Sequence, residues 1–122
     1  MRLQESGEMY LETIYMLSQT MDTVRSIDVE EHMGYSNPSV SRAVGLLKNG
    51  GYLTMEANGA LVLTEAGRAI GEKIYNRHTL LTQLLMQLGV DRETAAADAC
   101  RMEHAISDTT FDAIQEHLKK YV

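Results

Sequence analysis

At 122 residues, 44% hydrophobic and 23% charged, the chain holds enough apolar material for one ordinary domain or two small ones, which excludes a short peptide and a disordered tail. Its single cysteine cannot close an internal disulfide, so stability rests on packing and the thiol is left for other chemistry, which fits a reducing compartment, by default the cytoplasm. A formal net charge of -6 argues against a protein that coats nucleic acid non-specifically, because that binding is driven by counterion release onto a basic surface.

The amino terminus, MRLQESGEMYLETIYML, carries acids inside its apolar stretch, and no apolar run approaches spanning length, so neither export nor a membrane anchor is expected. Residues 7–20 read as an amphipathic helix with Tyr10, Ile14 and Leu17 on one stripe, Ser6 as its cap, and Met9 and Glu12 together on a neighbouring face. From His32 to Met55 there is no acidic residue, although Arg42 and Lys48 lie there, so a polyanion can be met on this segment. Within it, SIDVEEHMGYSNPSVSRAVGLLKNGGYL predicts a short helix after Ser26, a break at Gly34, and a second helix. Ser36 or Asn37 can cap that second helix, Pro38 suits its first turn, and Gly50 and Gly51 end it. This is a helix-turn-helix outline. Two short β-prone runs then flank Asn58-Gly59, a hairpin signal because both positions tolerate positive φ, and a hairpin directly after a helix-turn-helix makes a winged helix.

From a cap at Thr64 a long helix is predicted, with Ile70, Ile74, His78, Leu81 and Leu85 on one side, stopping at Gly89. Asp91 or Thr94 opens another helix, and Ser107 or Asp108 caps a last one. With no repeat, low-complexity tract or Pro-rich linker, a boundary near residue 75 falls inside the long helix, giving a winged-helix part over 1–74 and a helical part over 75–122.

ACRMEHAIS, residues 99–107, places Cys100, Glu103 and His104 at helical spacings i, i+3 and i+4, so a thiol, a carboxylate and an imidazole face one small volume. Thiolate and imidazole suit transition metals rather than Ca²⁺ or Mg²⁺. The same residues are compatible with a solvated helix face, and His78 and Met9 with ordinary core packing. A nucleophilic cysteine is disfavoured, since no donor nest sits beside Cys100 and a mid-helix thiol lacks the N-terminal field that activates it.

EMYLETIYML, SNPSVSRAVGLLKNGGYL, LTEAGRAIGEKIYNRH and DACRMEHAIS, in this order and over nearly the whole chain, resemble the diphtheria toxin repressor family of metal-dependent transcriptional regulators, including its manganese-transport regulator branch. The resemblance implies a mainly α fold, a winged helix-turn-helix followed by an α-helical dimerisation domain, in a short form without the SH3-like domain of long members. It implies a regulator rather than an enzyme. It also places metal ligands at Met9, Glu12, His78, Cys100, Glu103 and His104. Met9 and Cys100 match the iron-responsive branch, Glu103 and His104 match both branches, and Glu12 and His78 match the paired site of the manganese branch. Thr82 and Ala96 stand where iron-branch members carry Glu and His of an accessory site.

Thioether and thiolate donors favour Fe²⁺ over Mn²⁺, with Zn²⁺, Co²⁺ and Ni²⁺ binding as well in vitro. For DNA, the second helix of the pair enters the major groove with Ser36, Asn37, Pro38, Ser39, Ser41 and Arg42 as contacts: Arg42 for phosphate or guanine, Pro38 for a thymine methyl, the serines for base edges or backbone. Asn58 and Gly59 form the wing tip. Leu80, Leu84, Leu85, Leu88, Ile106, Phe111, Ile114 and Leu118 are expected to support a homodimer on a palindromic operator. The alternative is a winged-helix DNA-binding regulator that does not sense metal.

Overall fold

The computed structural model of the chain describes residues 5–121. In order, the elements are α1 (Glu5–Ser18), α2 (Ser26–Met33), α3 (Asn37–Asn49), β1 (Leu53–Met55), β2 (Leu61–Leu63), α4 (Glu65–Gln87), α5 (Arg92–Met102) and α6 (Asp108–Tyr121). They fall into two compact units, one ending at Lys73 and the other beginning at Ile74, so α4 contributes to both. The fold is mainly α with a single two-stranded hairpin among the described residues, the winged helix-turn-helix and helical C-terminal part that the sequence predicts. No helix among the described residues is long and apolar enough to cross a membrane.

In the first unit the core gathers Leu11 and Ile14 of α1, Val29 of α2, Val40, Val44 and Leu47 of α3, and Leu53 and Leu61 of the hairpin. The spacing of Val40, Val44 and Leu47 puts them on one side of α3, and their burial leaves the opposite side outward. α1 begins earlier than predicted and ends earlier, at Ser18 rather than residue 20. There the Ser18 hydroxyl and the Gln19 amide donate to the Tyr15 carbonyl, and Thr20 Oγ1 donates to that of Leu17, so side chains take up the last carbonyls. Ser6, predicted as the cap, is the second residue of the helix. α2 starts at Ser26 itself, because the Asp28 carboxylate reaches back to accept from the Arg25 backbone N–H at 2.8 Å. Gly34 ends α2 in the left-handed region at φ 73°.

Leu53 pairs with Leu63 and Met55 with Leu61 in the antiparallel hairpin. The connection is not the two-residue turn that Asn-Gly suggests. Glu56 N–H donates to the Ala60 carbonyl and Gly59 N–H to that of Glu56, leaving residues 57–59 as a three-residue loop in which Gly59, at φ 86°, alone takes positive φ. The Asn58 side chain accepts from Ala60 N–H instead, which holds Asn58 out of that region. Leu61 N–H donates to the Val24 carbonyl at 2.7 Å, so the chain before α2 lies along the hairpin's edge.

α4 opens under a Thr64 cap, whose hydroxyl accepts from Gly67 N–H and donates to the Gly51 carbonyl. In the second unit Ile74, Leu81, Ala95, Ala99 and Leu118 are buried. Gly89, at φ 99°, lies in the turn after α4, and Asp91 caps α5 by accepting from Thr94 N–H at 3.0 Å. Ser107 caps α6 through Thr110 N–H.

Candidate metal centre and nucleic-acid interface

The Cys-Glu-His group is not in mid-helix. α5 ends at Met102; Glu103 is its C-cap residue, still with helical φ and ψ, and His104 lies in the turn that follows. Cys100 sits half-buried in the last turn of α5. The near-helical backbone at Glu103 carries it toward α4 of the same unit. Its carboxylate is fully buried, with Oε2 3.0 Å from His78 Nδ1 and Oε1 3.3 Å from His104 Nε2. The His104 side chain is itself 2% exposed, while that of His78 is 31% exposed and borders solvent.

A carboxylate taken fully out of water is costly unless charge or hydrogen bonds compensate it, and here an imidazole faces each of its oxygens. The donor set is intermediate in hardness, oxygen and nitrogen with a thiol one turn back, which suits divalent transition ions. Neighbouring ligand atoms each held about 2.0–2.2 Å from one ion at right angles lie about 3 Å apart. The observed spacings of 3.0 and 3.3 Å are those of ordinary hydrogen-bonded or ion pairs and are also compatible with that size, so it is the chemistry of this buried donor set that fits a metal.

Met9 and Glu12 belong to the first unit, one turn apart and both half-buried on α1. Thr82 uses its hydroxyl within α4, donating to the His78 carbonyl at 2.7 Å, and so fixes the backbone of a candidate ligand. Ala96 is half-buried in α5.

One residue of this region escapes the sequence reading. Arg77 is 5% exposed, and its Nη1 donates to the carbonyls of Glu103 at 3.0 Å and Ile106 at 2.9 Å. Nη2 donates to Asp108 Oδ1, and the guanidinium lies 5.3 Å from the centre of the Phe111 ring. The signal was available: Arg77 stands three residues after Ile74 and four before Leu81, a charge on a buried stripe.

On α3, all six predicted DNA contacts are exposed, but they divide by what already occupies them. Ser36 is the N-cap: its Oγ accepts from Ser39 N–H and donates to Ser39 Oγ. The Asn37 amide donates to Glu30 Oε2 at 3.0 Å, tying α3 to α2 and drawing an acid toward the segment that itself contains none. Pro38, Ser41 and Arg42 project outward with none of these bonds, and Leu46, 62% exposed, continues the same face. At the wing tip Arg25 Nε donates to the Asn58 carbonyl, which pins the hairpin loop against the start of α2. Sequence reasoning assigned Arg25 no part, and nothing in its local pattern marks a contact 33 residues away.

Of the residues expected at a dimer surface, Leu118 is buried within the chain, Leu88 is 71% exposed, and Leu80, Leu84, Leu85, Ile106, Phe111 and Ile114 are half-buried.

Two family models account for nearly all of this chain. Residues 2–61 match the iron dependent repressor N-terminal DNA binding domain, and residues 64–121 match the iron dependent repressor metal binding and dimerisation domain. Among curated relatives, the HTH-type transcriptional regulator MntR of Bacillus subtilis (strain 168) is 38% identical over 109 residues, covering 89% of this chain and 77% of that protein. The iron-dependent repressor IdeR of Mycobacterium tuberculosis (strain ATCC 25618 / H37Rv) is 36% identical over 107 residues, covering 87% of this chain and 46% of that protein. Among solved structures, the manganese regulator SloR superposes with a TM-score of 0.83 at 26% identity, over 93% of this chain and 53% of that one. The chain thus spans about half the length of the SloR and IdeR chains.

Proposed function

The chain belongs to the iron-dependent repressor family and is a metal-dependent transcriptional repressor, not an enzyme; from that premise we propose that it binds a palindromic operator as a cytoplasmic homodimer when loaded with Fe²⁺, with Mn²⁺ the second reading. The ligands assigned to this role are Met9, Glu12, His78, Cys100, Glu103 and His104. The observation that carries the reading is the buried Glu103 carboxylate with an imidazole nitrogen on each oxygen. Sulfur donors at Met9 and Cys100 favour Fe²⁺, while the oxygen and nitrogen donors at Glu12, Glu103, His78 and His104, together with the similarity to MntR, favour Mn²⁺.

A bound ion would supply positive charge to the carboxylates and a directional tie among their donors. Glu103 and His104 offer their side chains from the turn after α5, and His78 from α4. Met9 and Glu12 offer theirs from α1, which shares the core of the first unit with α3. Loading therefore changes DNA affinity only to the extent that these residues hold the ion more tightly in the DNA-competent arrangement than in any other. On the DNA side, Arg42, Ser41 and Pro38 read or anchor the duplex, while Ser36, Asn37 and Ser39 hold the start of α3 in place. Zn²⁺, Co²⁺ and Ni²⁺ should also occupy the ligands in vitro, because raw affinity rises along that series.

The test is an anaerobic titration of the dimer onto a labelled operator fragment with Fe²⁺, with Mn²⁺ and with chelator. Coupling of the usual size makes binding about 5- to 150-fold tighter in the metal arms. Equal affinity in all three defeats the metal switch, and a monomer in sedimentation at micromolar concentration defeats the dimer.

A further inference from the structure

Arg77 and His78 are neighbours on α4, so their side chains leave the helix about 100° apart. Both nevertheless reach the segment between α5 and α6. His78 meets the Glu103 carboxylate, while Arg77 meets the backbone that carries it: the carbonyl of Glu103, the carbonyl of Ile106 and the carboxylate of Asp108 at the start of α6. Resting on the metal reading above, we infer that Arg77 is a positioning residue for the metal centre, gripping residues 103–108 so that the Glu103 carboxylate and the His104 imidazole are held in ligand geometry before an ion arrives.

Residues 103–105 are a turn, without the ladder of bonds that fixes a helix interior. Within this turn, Glu103 N–H is satisfied by the Ala99 carbonyl and Ala105 N–H by that of Met102. The carbonyls of Glu103 and Ile106 point to no helical donor, and the guanidinium supplies one to each. A planar fork can serve two carbonyls and a carboxylate together, which an ammonium on a flexible stem cannot do in the same geometry. The Phe111 face beneath the guanidinium limits its motion and links the grip to α6. The bonds of Arg77 go to the carbonyls of Glu103 and Ile106 and to Asp108, so its effect on an ion passes through the placement of Glu103 and His104. Residues that orient ligands in this way typically alter metal affinity about 10- to 100-fold when removed.

Co²⁺ alone is the probe, because its visible absorption reports coordination geometry as well as occupancy. Wild-type protein, Arg77→Lys, Arg77→Met, Asp108→Asn and, as a control, Leu118→Ala are titrated anaerobically, and each metal-free variant is melted by circular dichroism. Arg77→Lys and Arg77→Met should bind Co²⁺ about 10- to 100-fold more weakly and show an altered absorption envelope at saturation. Asp108→Asn keeps both carbonyl bonds and should lose less. Leu118→Ala should lower the melting temperature yet keep wild-type affinity and spectrum. If Arg77→Met does not fold, Arg77→Lys and Asp108→Asn decide. A folded Arg77→Lys with wild-type affinity and spectrum overturns the inference, as does Leu118→Ala losing as much affinity as Arg77→Lys. If wild-type protein takes up no Co²⁺, the metal reading fails and this inference falls with it; wild-type uptake with indifferent Arg77 variants defeats this inference alone.

Discussion

Gly67, in the first turn of α4, gives a test in which two effects of opposite sign compete. By helix propensity alone, Gly67→Ala should stabilise the protein by about 0.8–1.0 kcal/mol. The surroundings reverse this. A Cβ at residue 67 would stand 1.9 Å from the Tyr52 carbonyl oxygen, 2.9 Å from its carbon and 3.3 Å from the Tyr52 Cα, all backbone atoms that cannot rotate away. Reaching ordinary contact at about 3.4 Å requires the helix start and the strand entry to separate by roughly 1.5 Å. That movement strains the bonds that fix this corner, Thr64 N–H to the Tyr52 carbonyl at 3.1 Å and Thr64 Oγ1 to the Gly51 carbonyl at 2.7 Å. Overpacking costs about 1–3 kcal/mol and each of the two weakened hydrogen bonds about 0.5–1.5 kcal/mol, so after the propensity gain is subtracted the net loss is about 1–5 kcal/mol, centred on about 3. For a chain of this size the melting temperature should fall by roughly 10 °C. Thermal and urea melts followed by circular dichroism measure it. A variant that melts at or above the wild-type temperature would show that propensity wins and that the close approach of α4 to Tyr52 is wrong.

The isosteric Glu103→Gln substitution removes the buried charge while keeping the shape, and should abolish most of the rise in melting temperature that Mn²⁺ or Co²⁺ gives the wild type; an undiminished rise would remove Glu103 from the ligand set. Arg42→Ala should weaken operator binding and reduce the slope of log affinity against log salt by about 1, with metal affinity unchanged; an unaltered slope means that Arg42 contacts no phosphate. Asp91 is held below the usual aspartate range, chiefly by the Thr94 backbone N–H and then by the Thr94 side chain. Its folded-state value is therefore the lower one, and the stabilisation it gives is complete above the unfolded value of 3.8 and lost as pH falls through the folded value. The urea midpoint of wild type should exceed that of Asp91→Ala by a constant amount near neutrality and by a shrinking amount under acid; a gap that widens under acid refutes the cap.

Much of the architecture was readable from local pattern. Val40, Val44 and Leu47 recur at helical spacing, Ser36 and Pro38 mark a helix start, and Gly34, Gly51 and Gly89 stand where the backbone takes positive φ. Each of these signals acts within about one turn of the chain, which is why the sequence carries them. The errors have the same origin. Asn58-Gly59 marks a hairpin, which forms, but both positions were expected to tolerate positive φ and only Gly59 takes it, because the Asn58 side chain accepts from Ala60 N–H in a three-residue loop. Cys100, Glu103 and His104 have the spacing of one helical face, whereas α5 ends between the first and the other two.

By itself the sequence determined the order and kind of the elements, the acid-free reading segment and the residue types available to a metal, because propensity, capping and charge are properties of neighbours along the chain. Only the tertiary structure decided how those residues are used. It brought His78 to Glu103 across 25 positions, gave Arg77 to the backbone of the following turn rather than to solvent, and spent Asn37 on Glu30 while leaving Arg42 outward. The physical reason is that burying a charge or a polar group is tolerable only where partners from other elements meet it, and which partners arrive is fixed by packing, not by spacing in the chain.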